Sequence, residues 1–371
     1  MAARTEPLRT IRGDRIDDPR AVRPVARVEV TSPGAPAPRR ILVTGGAGYI
    51  GSHTVRLLTS LGDAPVVLDS LERGHRESVE GARLIVGSTG DRALVRRILE
   101  EERIEAVIHF AARKSTAESV ADPAGYFDHN VGDSIALLSE LVTAGITPFV
   151  FSSTCAVYGE VASSPVAEDA PIRPSTPYGE SKVLVERMLP WLEASGLRHV
   201  ALRYFNAAGA EPDGSHGEHP AGASSLVPRV VAAALGRQPR LTVFGDDYPT
   251  PDGTAIRDYV HVADLARAHV AALEHLLAGG QSSVLNLGTG TGSSVLDVVR
   301  AVERAAGVSV PLAIAPRRPG DVAAIWADSG AAERVLGWRA TASIDDIAAS
   351  AVRWAERRPQ GYPDASGPDR G

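Results

Sequence analysis

Short apolar runs alternating with helical periods predict an α/β fold, a doubly wound parallel sheet with a smaller α/β domain beside it. Three observations carry this. Ile41-Leu42-Val43 and Pro65-Val66-Val67-Leu68 are unbroken apolar runs, and Ala106-Val107-Ile108-His109-Phe110 is interrupted only by His109, as strands covered on both faces require. Gly-rich or helix-periodic sequence separates them. The residues able to do chemistry follow the strands, where such a sheet opens its binding crevice.

The elements follow in order. Residues 1–39 end in Ser32-Pro33-Gly34-Ala35-Pro36-Ala37-Pro38, show neither period, and read as a disordered N-terminal tail. The first strand leads through a Gly-rich turn into a helical stretch that ends at Leu61, and the second strand closes on Asp69. Leu84-Ile85-Val86 is a third strand, 91–102 a helix and 106–110 a strand. A helical pattern covers 130–144, then Phe149-Val150-Phe151 runs into Ser152-Ser153-Thr154. A helix is predicted over 178–193 and a strand over 199–202. Residues 207–256 are rich in Gly, Pro, Ser and Asp; a helix over 260–277 and a strand over 284–288 come next.

Composition narrows the class. The 371 residues are 44% apolar and 23% charged, and no apolar run is long enough to span a membrane. A net charge of −6 argues against nucleic acid as a partner. The one cysteine, Cys155, excludes an intramolecular disulfide and fits a reducing, cytoplasmic compartment. Of 39 basic residues only two are lysine, Lys114 and Lys182. Lysine is a compact charge with a tunable pKa, which arginine cannot imitate. His216, Glu218 and His219 lie in a Gly/Pro-rich loop with no helix to align them, so no metal site is expected.

Gly45, Gly48 and Gly51 space a loop that follows a strand and opens a helix at Tyr49 and Ile50. Glycine lets the backbone approach a pyrophosphate, and the helix N-terminus supplies amide donors and partial positive charge. Asp69 stands 18 residues beyond Gly51, placed to bind ribose hydroxyls and to repel a 2′-phosphate. The loop is therefore read as an NAD site.

Tyr178 and Lys182, four apart on a predicted helix, share one face. A cation beside the phenol favours phenolate, and lowering a tyrosine pKa by about three units takes roughly 4 kcal/mol of differential interaction. Thr154, 24 residues upstream at a strand end, offers a hydroxyl to the same reacting oxygen.

Taken with these motifs, the segments Val43 to His53, Val107-Ile108-His109-Phe110-Ala111, Leu202-Arg203-Tyr204-Phe205-Asn206, Asp246-Asp247-Tyr248-Pro249-Thr250, Arg257-Asp258-Tyr259-Val260-His261-Val262 and Pro359-Gln360-Gly361-Tyr362-Pro363 resemble the extended short-chain dehydrogenase/reductase family. Within it the likeness is to the UDP-glucose 4-epimerase branch, from about Arg40 to Asp364. The resemblance implies a Rossmann domain at 40–206, joined again by about 257–310. It implies a UDP-sugar-binding domain at 207–256 and 311–364, and a C-terminal tail at 365–371. It implies reversible epimerisation at C4 of a UDP-hexose through a 4-keto intermediate, with NAD tightly bound. Tyr178 is then the base, Lys182 its modulator and Thr154 the partner hydroxyl. Gly45, Gly48, Tyr49, Ile50, Gly51, Asp69, Phe110, Ala111, Lys114, Asn130 and Tyr204 join Tyr178 and Lys182 around the cofactor. Asn206, Ser225, Leu226, Thr242, Phe244, Arg257, Tyr259, Arg318, Asp321 and Ile325 join Thr154 and Tyr178 around the substrate. The resemblance also implies a homodimer, through the helices at 130–144 and 178–195.

The chain departs from the family at three places. Ser88 stands for an Asp beside the adenine, Ser224-Ser225 for an Asn pair, and Ile325 for a Tyr or a small residue that sets the room near sugar C2. Epimerisation of UDP-N-acetylglucosamine or a UDP-pentose therefore stays open, as does, more remotely, a non-catalytic NAD sensor. Cys155 and Ala156 follow Thr154 where sugar-nucleotide dehydratases of this fold carry an acidic pair, so elimination lacks its groups.

Overall fold

Alternate residues of each central strand enter opposite cores, which is the physical content of a sheet covered on both faces. Ile41, Val43, Val67, Ile108 and Val150 face one core; Leu42, Val66, Leu68, Val107, Phe149 and Phe151 face the other. The computed structural model describes residues 37–318 and 321–362. The expected tails lie outside these residues except for 37–39.

The strands and helices run β1 (Arg40–Thr44), α1 (Tyr49–Ser60), β2 (Ala64–Asp69), β3 (Arg83–Val86), α2 (Arg92–Glu101) and β4 (Ala106–His109). Next come α3 (Thr116–Ala121), α4 (Pro123–Phe127), a π-turn (Asp128–Gly132) and α5 (Asp133–Ala144). Then follow β5 (Pro148–Thr154), α6 (Pro177–Leu192), β6 (Arg198–Tyr204), β7 (Asn206–Ala208), α7 (Leu226–Ala234) and β8 (Leu241–Phe244). The chain continues with β9 (Ile256–Arg257), β10 (Tyr259–His261), α8 (Val262–Leu277), β11 (Ser283–Leu287), β12 (Ser293–Ser294) and α9 (Val295–Ala306). It ends with β13 (Leu312–Ala315), β14 (Ala324–Ile325), α10 (Gly330–Leu336) and α11 (Ile344–Arg357).

Seven strands form one parallel sheet in the order β11-β6-β5-β4-β1-β2-β3. The order reverses between β1 and β4, which opens the crevice at their carboxyl ends. α1, α8 and α10 cover one face; α2, α5 and α6 cover the other. A separate core gathers α7, β8, α9 and α11. Thus α9, expected to return to the sheet, packs with the second core, and α10 packs on the first.

Local chemistry sets the boundaries. Thr176 caps α6 by accepting from the Gly179 amide, with Pro177 at the first helical position. Ser294 and Ser343 open α9 and α11 with reciprocal capping boxes. The helix expected from 130 starts earlier: Asp122 caps α4, Pro123 begins it, and a π-turn carries the chain into α5. Arg39, left in the tail by its sequence, belongs to the fold, with Nε and Nη2 2.7 and 2.8 Å from Asp63 and Nη2 2.6 Å from Glu274. Among the described residues no helix is long and apolar enough to cross a membrane.

Candidate active site

The glycine loop lies at the crevice. Gly45 has φ +66°, and a Cβ there would stand 2.5 Å from the Ala111 amide nitrogen after β4. A Cβ on Gly51 would overlap the Gly45 carbonyl oxygen. Gly48 is the N-cap of α1 and no side chain caps that helix, so its first amides are left for an anion. Asp69 is 7% exposed; its oxygens accept from Ala47 N at 2.9 Å and Leu71 N at 2.8 Å. Burial raises its pKa, and those two amide bonds oppose the rise. Each oxygen retains accepting capacity for ribose hydroxyls. A cradle that a Cβ would fill, an uncapped helix start and a fixed carboxylate together fit a dinucleotide.

Around this loop, Tyr49 donates to the Gly209 carbonyl at 2.6 Å and Ile50 packs on the sheet core. The Phe110 ring lies 4.5 Å from that of His269, and Ala111 N donates to Thr44 O. Lys114 stands on the rim, 70% exposed, paired with Glu218 at 3.3 Å. Asn130, in the π-turn, is 2% exposed and engaged by protein: it accepts from Arg113 N at 2.8 Å and donates to Arg113 O and Ser181 Oγ, both at 3.0 Å. It ties the loop bearing Lys114 to α6.

At the end of β5, Thr154 accepts from Ala156 N at 3.1 Å and lies near enough to the half-buried Tyr178 to act on its phenol. Burial is the largest influence on that phenol and pushes its pKa well up; Tyr204 adds to this and Thr154 opposes it. Lys182 was expected to draw it down. Instead Lys182 Nζ donates to the Ser152 carbonyl at 2.8 Å and sits 4.8 Å from the Phe151 ring centre. The reason is desolvation: a buried ammonium takes the strong acceptor within reach. Burial lowers the Lys182 pKa to about 7, with Glu186 opposing. Tyr204 shares a 2.7 Å hydrogen bond with Ser152 Oγ. Cys155 is held as a thiol, pushed up to about 12 by burial, and feels Arg257 and Asp258.

The substrate candidates sit on small ladders. β8 pairs with β13 and puts Thr242 and Phe244 on one face; the Arg318 guanidinium lies 3.9 Å from the Phe244 ring centre. Tyr259 on β10 is paired with Asn206 on β7. Ser225 precedes α7 and donates to Glu218 at 3.4 Å, while Leu226 packs on the second core. Arg257 is partnered: it donates to the Ile256 and Val322 carbonyls at 2.8 Å and to Asp321 at 3.0 Å. Ile325, opposite Arg257 in register, is 6% exposed among Val157, Val183 and Phe205. His216 turns to Ser52 and Tyr362, and His219 stacks on His75.

Two residues with no assigned role, Glu186 and Arg203, form a buried ion pair beside Lys182. Glu186 is four residues beyond Lys182 on the same predicted helix, a spacing visible beforehand. Arg203 lies in the 202–206 segment that carries the family resemblance, but its partner depends on the β6 to α6 crossing.

The sequence model of the NAD dependent epimerase/dehydratase family matches residues 41–288. A UDP-glucose 4-epimerase of Lactobacillus helveticus is 44% identical over 328 residues, 88% of this chain and 99% of that protein. The crystal structure of UDP-glucose 4-epimerase from Brucella ovis in complex with NAD is 46% identical, covers 85% of this chain and 97% of its own, and has a TM-score of 0.83. That of the Bifidobacterium longum enzyme in complex with NAD+ and UDP is 40% identical, covers 87% and 100%, and has a TM-score of 0.82. The chain belongs to the NAD-dependent epimerase/dehydratase family.

Proposed function

We propose that this chain interconverts UDP-galactose and UDP-glucose by epimerisation at C4, with NAD tightly bound. The observation that supports the reading is Lys182 held on the Ser152 carbonyl at the end of β5, the strand that also carries Thr154 near Tyr178, in the same parallel sheet as a glycine loop whose shape suits a dinucleotide. Gly45, Gly48 and Gly51 with Asp69 would hold the cofactor, and the buried carboxylate favours NAD over NADP. NAD, when bound, accepts the C4 hydride and returns it, so the net reaction is isomerisation.

The protein's part is positioning and proton transfer. Tyr178 acts as phenolate and takes the proton of the sugar 4-hydroxyl, with Lys182 supplying the positive charge that must offset the burial favouring the neutral phenol; Thr154 offers its hydroxyl to the same oxygen. Arg257 and Arg318 grip the two phosphates, a pairing suited to guanidinium geometry. Thr242 and Phe244 flank the uridine; Asn206, Ser225, Leu226, Tyr259 and Asp321 complete the nucleotide side. Tight nucleotide anchoring with loose sugar contact lets the 4-keto sugar turn its other face before it is reduced.

The same proposal includes a homodimer through α5 and α6, which carry Ile135 and Trp191 at 44% and 83% exposure, and a cytoplasmic setting suited to the single thiol. Light scattering on wild type and Trp191→Asp tests the dimer.

The functional test follows UDP-galactose and UDP-glucose with protein given no added NAD, alongside UDP-N-acetylglucosamine, and assays denatured protein for released NAD. Interconversion of the hexoses with released NAD is expected. The parallel lane reports whether buried Ile325 excludes the N-acetyl group. NAD without hexose turnover would overturn the reading.

A further inference from the structure

Three residues of α6, spaced by four, face three successive residues at the end of β5. Tyr178 stands by Thr154, which acts on its phenol. Lys182 donates to the Ser152 carbonyl at 2.8 Å. Glu186 Oε1 accepts from the Ser153 hydroxyl at 2.5 Å. The first two rungs belong to the reaction proposed above; the third does not touch it.

Glu186 is bound to Arg203 of β6: Nη2 lies 2.6 Å from Oε2, and Nε lies 3.0 and 3.1 Å from the two oxygens. Both side chains are 7% exposed. Arg203 is itself fixed, donating to Tyr158 Oη at 3.0 Å and to the Glu168 carbonyl at 3.2 Å. A buried pair of this kind is weak evidence for stability, since apolar residues of similar volume often do as well. Its placement calls for another role.

The surroundings of Lys182 supply one. Burial keeps Tyr178 on α6, Cys155 after β5, Tyr204 on β6 and Tyr126 on α4 in their neutral forms. His109 on β4, lowered to about 3, is neutral too. Lys182, Glu186 and Arg203 are the charged groups bonded at this end of β5; farther out, Glu118 takes the Tyr126 hydroxyl, His129 acts on His109, and Arg257 and Asp258 act on Cys155. Against the desolvation of the lysine, Glu186 is the opposing influence.

We propose that Glu186, braced by Arg203 and Ser153, is a positioning residue that keeps Lys182 an ammonium and directs it at the end of β5. This rests on the Tyr178–Lys182 reading for its catalytic meaning, but its charge effect is measurable without turnover. With Glu186 neutral, desolvation stands unopposed and Lys182 loses its proton at lower pH.

Having two lysines makes the test direct. Protein carrying 13Cε-labelled lysine, with its bound NAD, gives two lysine signals, and Lys114→Arg identifies that of Lys182. Titration is compared for wild type, Glu186→Gln, Glu186→Asp and the double variant Glu186→Gln/Arg203→Met. The double variant removes the orphaned guanidinium and keeps the test available if Glu186→Gln does not fold. The expected result is a Lys182 midpoint about one pH unit lower or more in Glu186→Gln and in the double variant, with Glu186→Asp close to wild type. The alkaline limb of kcat moves the same way, while KM for the UDP-hexose changes less than about twofold. An unmoved Lys182 midpoint in a folded variant would overturn the proposal. Absence of wild-type turnover, or turnover surviving in Tyr178→Phe, would instead overturn the catalytic reading beneath it.

Discussion

Lys182 Nζ donates a hydrogen bond to the carbonyl oxygen of Ser152, 2.8 Å away, on the strand that ends in Thr154. α6 is thus tied to β5 by its lysine, while burial favours the protonated form of the Tyr178 phenol. The bond is local, but its cost appears in the pH dependence of folding.

Burial lowers Lys182 from 10.5 to about 7 in the folded protein. Between those values the unfolded chain holds a proton that the folded chain does not, so stability rises with pH across the window. Cofactor-stripped wild type should gain up to about 1.4 kcal/mol per pH unit relative to Lys182→Met. Denaturant unfolding of both proteins at pH 7, 8 and 9 measures this. A constant difference between them would refute the burial of a charged lysine.

Tyr178→Phe removes the proton acceptor and little else, because the ring still fills its half-buried place. Turnover should fall by about 10²–10⁴-fold. NAD released on denaturation should match wild type. Variant protein that turns over UDP-hexose at an undiminished rate would exclude Tyr178 as the base.

Gly51→Ala places a methyl on the Gly45 carbonyl oxygen. The loop must shift or α1 must move off it, which costs about 1–3 kcal/mol and opens the cradle. Purified variant should carry no detectable NAD and melt below wild type. Retention of full NAD content would show that the loop is not where the cofactor sits.

Arg318→Met keeps an unbranched side chain over the Phe244 ring and removes the charge. A charged hydrogen bond to phosphate is worth roughly 1.5–3 kcal/mol, so KM for the UDP-hexose should rise about 10- to 100-fold with kcat little changed. Steady-state kinetics with UDP as competitive inhibitor tests this. An effect confined to kcat would move Arg318 from nucleotide anchoring to the chemical step.

Much of the fold was legible because its signals are local. The largely apolar runs at 41–43, 65–68 and 106–109 are strands since each must be covered on both faces, with Phe110 already beyond β4, and Gly45, Gly48 and Gly51 mark a turn that admits no Cβ at two of its positions. The four-residue spacing of Tyr178 and Lys182 put both on one helical face before any coordinate. Less legible was α7, whose apolar run contains Pro228, and the π-turn that points Asn130 at Arg113 and Ser181.

What the sequence by itself determined, then, was the order of strands and helices and the residue types gathered at their ends, because helix and strand periods and turn chemistry are properties of neighbours along the chain. Only the tertiary structure decided which charges meet. Arg257 finds Asp321 at 3.0 Å across 64 residues, Lys114 finds Glu218, and Arg203 finds Glu186 behind Lys182. Burial, which raises the Tyr178 pKa and lowers that of Lys182, likewise exists only when β5, β6 and α6 close around them. Desolvation depends on what surrounds a group in space, and no spacing along the chain records it.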